Sequence, residues 1–144
     1  ICTDRSVDAV AAARANAAGL GRPATRIEIR HGDWFEALPP ERKGDFDVII
    51  SNPPYVGDHE ELPAVVAQWE PVDALFAGPT GLEHAEVLIG GARHWLRSGG
   101  ALVLELGETQ LDAAAELARA AGYVEVAIHR DLADRDRALV ARHP

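Results

Sequence analysis

An α/β fold built on a mostly parallel, doubly wound sheet is what this sequence predicts, on three observations. Segments of strand-like composition alternate with segments of helical period along the chain. The strand segments include nearly continuous apolar runs, Phe46-Asp47-Val48-Ile49-Ile50 above all, of the kind buried on both faces of a parallel sheet. The chain then closes on two strand segments in succession, which can pair as a hairpin.

Each element has its own signal. Ser6 to Leu20 is rich in alanine, with Ser6 placed as an N-cap, Asp8 in the first turn, and Gly19 or Gly21 available to end a helix. Ile27 to His31 alternates apolar and polar residues and runs into Gly32-Asp33, as a strand ending in a functional loop does. The run Phe46 to Ile50 is stopped by Asn52-Pro53-Pro54. Leu82, Ala85, Leu88, Ile89, Ala92 and Leu96 form a helical stripe that breaks at Ser98-Gly99-Gly100. Ala101 to Leu106 is a further buried strand, Leu111 to Ala121 a helix closed by Gly122, and Tyr123 to Ile128 and Arg137 to Ala141 are the last two strands. Between Val56 and Gly81 the prolines Pro63, Pro71 and Pro79 interrupt the pattern, and Asp58, Glu60 and Glu61 cluster; a loop of that length inside a domain is usually functional.

Composition narrows the chemistry. A length of 144 residues suits one domain, 1–144, and 47% hydrophobic with 26% charged residues is the balance of a globular protein. No apolar run approaches the ~20 residues of a membrane-spanning helix. The formal charge of −9 argues against a broad electrostatic grip on nucleic acid, where Lys and Arg neutralise phosphates, and favours a protein or small-molecule substrate. Cys2 is the only cysteine, which fits a reducing cytoplasm; the six scattered histidines offer no metal-ligand spacing, so no metal is expected. The opening Ile1-Cys2-Thr3-Asp4 has no initiator methionine and reads like the inside of a strand, so the chain is expected to begin within a domain.

The sharpest chemical feature is Ser51-Asn52-Pro53-Pro54-Tyr55, directly after a buried strand, where open α/β sheets bind ligands. Two prolines fix φ and remove two donors, leaving the carbonyls of Asn52 and Pro53 free to accept. With the Asn52 side-chain oxygen they form a cluster of acceptors that suits a planar NH₂ group, holding its hydrogens while the lone pair faces a methyl donor. Tyr55 can stack on that plane or close the pocket. Rate enhancement at such a site comes from positioning and hydrogen-bonding electrostatics and needs no strong base. The plain alternative is a rigid turn that ends a strand.

An Asn-Pro-Pro-Tyr at this place is typical of methyltransferases acting on exocyclic amino or amide nitrogens, adenine-N6, guanine-N2 and glutamine-N5 enzymes among them. Its surroundings are Gly32-Asp33-Trp34-Phe35, Glu70-Pro71 before Ala74-Leu75, Gly81-Leu82, Gly99-Gly100, Glu105-Leu106-Gly107 and Asp131-Leu132-Ala133. Together these motifs resemble the catalytic domain of the release factor glutamine N5-methyltransferases across essentially the whole chain. The resemblance implies a Rossmann-like class I S-adenosylmethionine-dependent methyltransferase fold, with S-adenosyl-L-methionine as cofactor and S-adenosyl-L-homocysteine as product. It further implies a peptide chain release factor as the partner methylated on a glutamine, and no membrane.

Carried over residue by residue, it implies that Asp4, ending the strand before the first helix, binds the cofactor's ribose hydroxyls, and that Asp33 and Trp34 flank its adenine. Asn52 would touch both the reactive end of the cofactor and the substrate amide, with Pro53, Pro54 and Tyr55 completing the substrate pocket and Asn52, Pro53 and Tyr55 counted as catalytic. Plainer roles stand beside these: Asp4 as a cap for the Ser6 helix, Trp34 as a core residue, Glu70 and Glu105 as solvated or capping carboxylates, and Arg135 and Arg137 as local orienters of backbone or carboxylates.

The family's glycine-rich first strand and its helical N-terminal domain have no counterpart here, so the sheet is expected to lack a strand between those ending at Asp4 and Ile50, and the chain to have little activity alone. Two other functions stay open: a nucleic-acid N-methyltransferase acting on a flipped adenine or guanine, and a non-catalytic module that keeps only the fold.

Overall fold

Ser6 opens the first helix with the geometry that its side chain favours: an extended backbone, and an Oγ that accepts the Ala9 N–H at 3.2 Å. The computed structural model of the chain describes residues 1–63 and 68–144, in two compact units, Ile1–Arg42 and Lys43–Pro144.

In the first unit, β1 (Cys2–Asp4) leads into α1 (Val7–Ala18), and the chain returns through a 3₁₀ turn at Arg22–Arg26 to β2 (Ile29–His31). β1 and β2 pair in parallel with Asp4 opposite His31, and the Gly32 N–H donates to the Asp4 carbonyl at 3.0 Å. This is a βαβ unit in miniature, since parallel neighbours need a crossover and α1 supplies it. Val10 is the one buried apolar side chain described here, 2% exposed, whereas Val7 and Leu20 stand in solvent. A 3₁₀ turn over Trp34–Ala37 follows β2.

The second unit is organised by β3 (Phe46–Ser51) and β6 (Leu96–Glu105), which pair in parallel. β8 (Asp136–Arg142) runs antiparallel to β6, and β7 (Val124–Arg130) antiparallel to β8, giving the order β3-β6-β8-β7 with the expected hairpin at one edge. Two helices, α3 (Glu83–Ala92) and α4 (Leu111–Ala120), pack on this sheet and on each other. Leu102, Leu104 and Leu139 on one sheet face, with Leu88, Ile89, Leu111 and Ala115 from the helices, are 0–3% exposed. Each such leucine contributes roughly 1.5–3 kcal/mol by leaving water. Tyr123, between α4 and β7, is buried and donates its hydroxyl to the Ile89 carbonyl at 3.0 Å.

Several expectations are corrected. Val56 to Gly81 is not simply a loop: β4 (Val56–Gly57) and β5 (Phe76–Gly78) pair in parallel, with a one-turn helix α2 (Val72–Leu75) before β5. Two- and three-residue strands defined by a distant partner leave no periodic trace. Residues 64–67 of that stretch lie outside the described residues. The helix expected to reach Leu96 stops at Ala92, and Leu96 instead opens β6. Ser98-Gly99-Gly100 is therefore not a break between elements but a bulge inside a strand: Phe46 pairs with Leu96 and Val48 with Ala101, so residues 97–100 are absorbed in the register shift.

Finally, β3 is not buried on both faces within its unit. Val48 is 53% and Ile50 76% exposed, because β3 is an edge strand of the four-stranded sheet and its alternate side chains lie on the face away from Leu102 and Leu104.

Candidate functional site

The carboxyl ends of β3 and β6 and the amino end of β8 define a hollow of about 420 Å³ lined by Ile50, Ser51, Asn52, Val103, Glu105 and Ala138. Its origin is the pleat. Ile50 lies opposite Val103, and Glu105 opposite Ala138, so residues flanking the buried leucines turn to the other face. Ile50, Val103 and Ala138 make an apolar floor, while Ser51, Asn52 and Glu105 bring hydroxyl, amide and carboxylate to its rim. Acceptor oxygens dominate this set and no Lys or Arg lines the hollow, so it suits neutral N–H donors or a cationic centre better than a phosphate.

Asn52 to Tyr55 leave β3 without regular structure. Asn52 is exposed, Pro53 buried, and Pro54 and Tyr55 half-buried, so the asparagine faces outward from a loop whose prolines are seated against the protein. The Tyr55 carbonyl accepts the Gln110 Nε2–H at 2.8 Å. Gly57 N–H donates to Glu60 Oε1 at 2.9 Å, which holds the loop as it enters β4. Across the turn before α3, Glu83 Oε1 accepts the Thr80 N–H at 2.9 Å and its hydroxyl at 3.0 Å. The Thr80 backbone bond is the main reason the Glu83 carboxyl sits below the ordinary carboxylate range.

The other candidate residues belong to the first unit. Asp4 ends β1 and Asp33 follows β2, so in this parallel pair both carboxylates stand at the same, carboxyl edge. Asp4 Oδ1 accepts the Ser6 N–H at 2.7 Å, so this carboxylate supports the helix start, although the cap itself is Ser6. Asp33 is exposed and makes no side-chain cap bond to the turn it begins. Trp34 is half-buried with a positive φ of 40°, a left-handed conformation uncommon for a non-glycine residue, so it is not an ordinary core residue.

Glu70 is exposed and outside the hollow, whereas Glu105 lines it. Arg135 and Arg137 act locally: Arg135 donates to Asp131 Oδ2 at 2.9 and 2.7 Å, and Arg137 to the Leu106 carbonyl at 3.1 Å. Sequence reasoning passed over Gln110; a polar residue at the head of an amphipathic helix, just after Glu105-Leu106-Gly107, was the available signal. Among the described residues no group of three or more His, Cys, Asp or Glu side chains is arranged to hold a metal ion. No described helix is long and apolar enough to cross a membrane.

Known proteins resemble this chain in sequence and in fold. Residues 1–69 match the family described as Methyltransferase small domain. The release factor glutamine methyltransferase of Cereibacter sphaeroides is 46% identical over 146 residues, covering 100% of this chain and 51% of that protein. The protein of the same name from Xylella fastidiosa is 42% identical over 147 residues, again covering 100% of this chain and 51% of its own length. The chain thus spans about half the length of the curated relatives it matches. Among solved structures, a methyltransferase from Pyrococcus furiosus superimposes with a TM-score of 0.64 at 21% identity, over 97% of this chain and 60% of that one. The fold is accordingly that of a class I methyltransferase, and the chain is a homologue of the release factor glutamine methyltransferases along its entire length.

Proposed function

We propose that the protein transfers a methyl group from S-adenosyl-L-methionine to the side-chain amide nitrogen of a glutamine in a protein, a class-one peptide chain release factor, in the cytoplasm. The observation that supports this most is the Asn52-Pro53-Pro54-Tyr55 loop opening at the end of β3 onto a hollow whose polar rim is Ser51, Asn52 and Glu105. Such a rim fits a planar amide and a sulfonium alike, and it repels phosphodiesters. The cofactor, when bound, supplies a methyl group on an electrophilic sulfur.

The chain's residues do the rest. Asn52 Oδ1 and the carbonyls next to the prolines accept the two amide hydrogens and turn the nitrogen lone pair toward the methyl group. Tyr55 covers the plane of the amide and keeps water away, and Pro53 and Pro54 keep the acceptors from relaxing. Asp4 takes the ribose hydroxyls with a two-oxygen acceptor, while Asp33 and Trp34 hold the adenine by hydrogen bonding and ring packing. Once the nitrogen carries the methyl group its extra proton passes to solvent, so no side chain near neutrality is needed as a base.

The test is incubation of the chain, extended to the full length of its curated relatives, with methyl-labelled S-adenosylmethionine in the presence of a class-one release factor, duplex DNA and ribosomal RNA, followed by peptide mapping. Label on a release factor glutamine is the expected result. Label on nucleic acid alone would assign the pocket to a base amine, and no label anywhere would reduce the chain to a non-catalytic module.

A further inference from the structure

Gln110 is the buried polar side chain of the described core, 9% exposed, and both ends of its amide are used. Its Oε1 accepts the Gly107 N–H at 3.1 Å, and its Nε2 donates to the Tyr55 carbonyl at 2.8 Å. Its backbone is committed as well: the Gln110 N–H donates to the Gly107 carbonyl, and the Gln110 carbonyl starts α4 by accepting from Ala114, both at 3.0 Å. One amide therefore ties the loop after β3 to the loop after β6 at the head of the amphipathic helix α4.

The surroundings allow almost no slack. A methyl group on Gly107 would lie 2.9 Å from Gln110 Oε1, and one on Gly81 would lie 2.4 Å from both Gln110 Nε2 and the Tyr55 carbonyl oxygen. Three loops converge on this amide, and two of them are glycine where they touch it. An amide offers an acceptor to an N–H on one side and a donor to a C=O on the other; an ionised carboxylate would oppose the Tyr55 carbonyl, and an alkyl group would orphan both partners.

The two loops so joined carry the two sides of the hollow. Asn52 precedes Tyr55 by two prolines, whose fixed φ passes a constraint on Tyr55 back along the chain, and Glu105 precedes Gly107 by one residue. We propose that Gln110 is a positioning residue that sets the separation of the Asn52 and Glu105 sides of the hollow, and hence the aim of the Asn52 acceptor. It does not itself line the hollow. As a statement about turnover this rests on the methyl-transfer reading; as a statement about the loops it does not.

Gln110→Leu and Gln110→Glu in the full chain test it. In Gln110→Leu, amide exchange at Asn52, Tyr55, Val56, Gly57 and Gly107 should quicken at least tenfold while the Leu102–Leu104 and Leu139–Ala141 amides keep their protection; methyl transfer should fall ten- to a hundredfold with cofactor affinity unchanged. In Gln110→Glu, the loops should be loosened at neutral pH and restored on acidification, because the protonated acid regains an O–H donor for Tyr55. Unchanged exchange at Asn52, Tyr55, Val56 and Gly57, a uniform loss of protection across the sheet, or no pH rescue would each overturn the proposal. If Gln110→Leu does not fold, the pH rescue decides alone. A wild type that transfers no methyl group would sink the functional reading and leave the exchange result standing.

Discussion

Replacing Gly81 by alanine should be among the most damaging one-methyl changes this chain can suffer. Gly81 has φ +77°, a left-handed conformation that costs an L-residue about 1–2 kcal/mol. The added Cβ would also lie 2.4 Å from the Tyr55 carbonyl oxygen, 2.4 Å from Gln110 Nε2 and 3.2 Å from the Gly57 nitrogen. Two of those atoms are backbone and the third is a buried amide, so relief requires breaking the Gln110–Tyr55 bond, which adds about 1–3 kcal/mol for the buried group left unsatisfied.

The total is about 2–5 kcal/mol, a large share of the roughly 5–15 kcal/mol that holds a domain together. Gly44→Ala and Gly90→Ala provide the scale. Gly44 has φ +72° but nothing within 4 Å of the built Cβ, so it should lose only the conformational part, about 1–2 kcal/mol. Gly90 sits in α3, exposed and with nothing within 4 Å, so alanine there should stabilise by roughly 0.5–1 kcal/mol. Urea unfolding followed by circular dichroism measures all three. A Gly81→Ala variant within 1 kcal/mol of wild type, or no more damaged than Gly44→Ala, would refute the contact argument.

Asn52→Ala should lower turnover by roughly a hundredfold or more while changing unfolding free energy by less than about 0.5 kcal/mol, since it removes an exposed, oriented acceptor; equal damage to both would mark the loop as a structural turn. Asp131 accepts from the Arg135 and Ala133 N–H groups and from the Arg135 guanidinium, with the Arg135 backbone bond foremost, which lowers its carboxyl from 3.8 to about 2. A lowered carboxyl stabilises the fold above its unfolded value, so this hairpin contribution should be complete above about pH 4 and vanish as pH falls toward 2, visible in the Asp131 carboxyl resonance. Burial raises the Tyr123 phenol from 10.0 to about 12, partly offset by Arg93. The protonated phenol stabilises the fold below pH 10 and this is lost between 10 and 12; in a Tyr55→Phe background, which leaves one tyrosine, phenolate absorbance should rise near 12 rather than 10.

Much of this was written locally. Ser6 caps α1 because a serine oxygen two to three residues ahead of orphan N–H groups satisfies them wherever the helix later packs. β3 ends at Ser51 because two prolines cannot continue a ladder, and α4 follows its apolar stripe from Leu111 to Ala120. The placement of the Asn-Pro-Pro-Tyr segment after β3, and of Asp4 and Asp33 at the ends of β1 and β2, was legible as well.

What the sequence by itself determined, then, is what depends on neighbours a few positions away: caps, breaks, periodicity and the chemical character of the loop after β3. Tertiary structure alone decided the pairing of Val56-Gly57 with Phe76–Gly78, the absorption of residues 97–100 into a bulge, and the exposure of Val48 and Ile50. It also decided the meeting of Gln110 with Tyr55, 55 positions away in the chain. The physical reason is range. A cap or a proline acts through bonds and turns within one segment, whereas a strand of two residues, an edge or a buried amide has meaning only once a distant partner supplies the other half of the hydrogen bond.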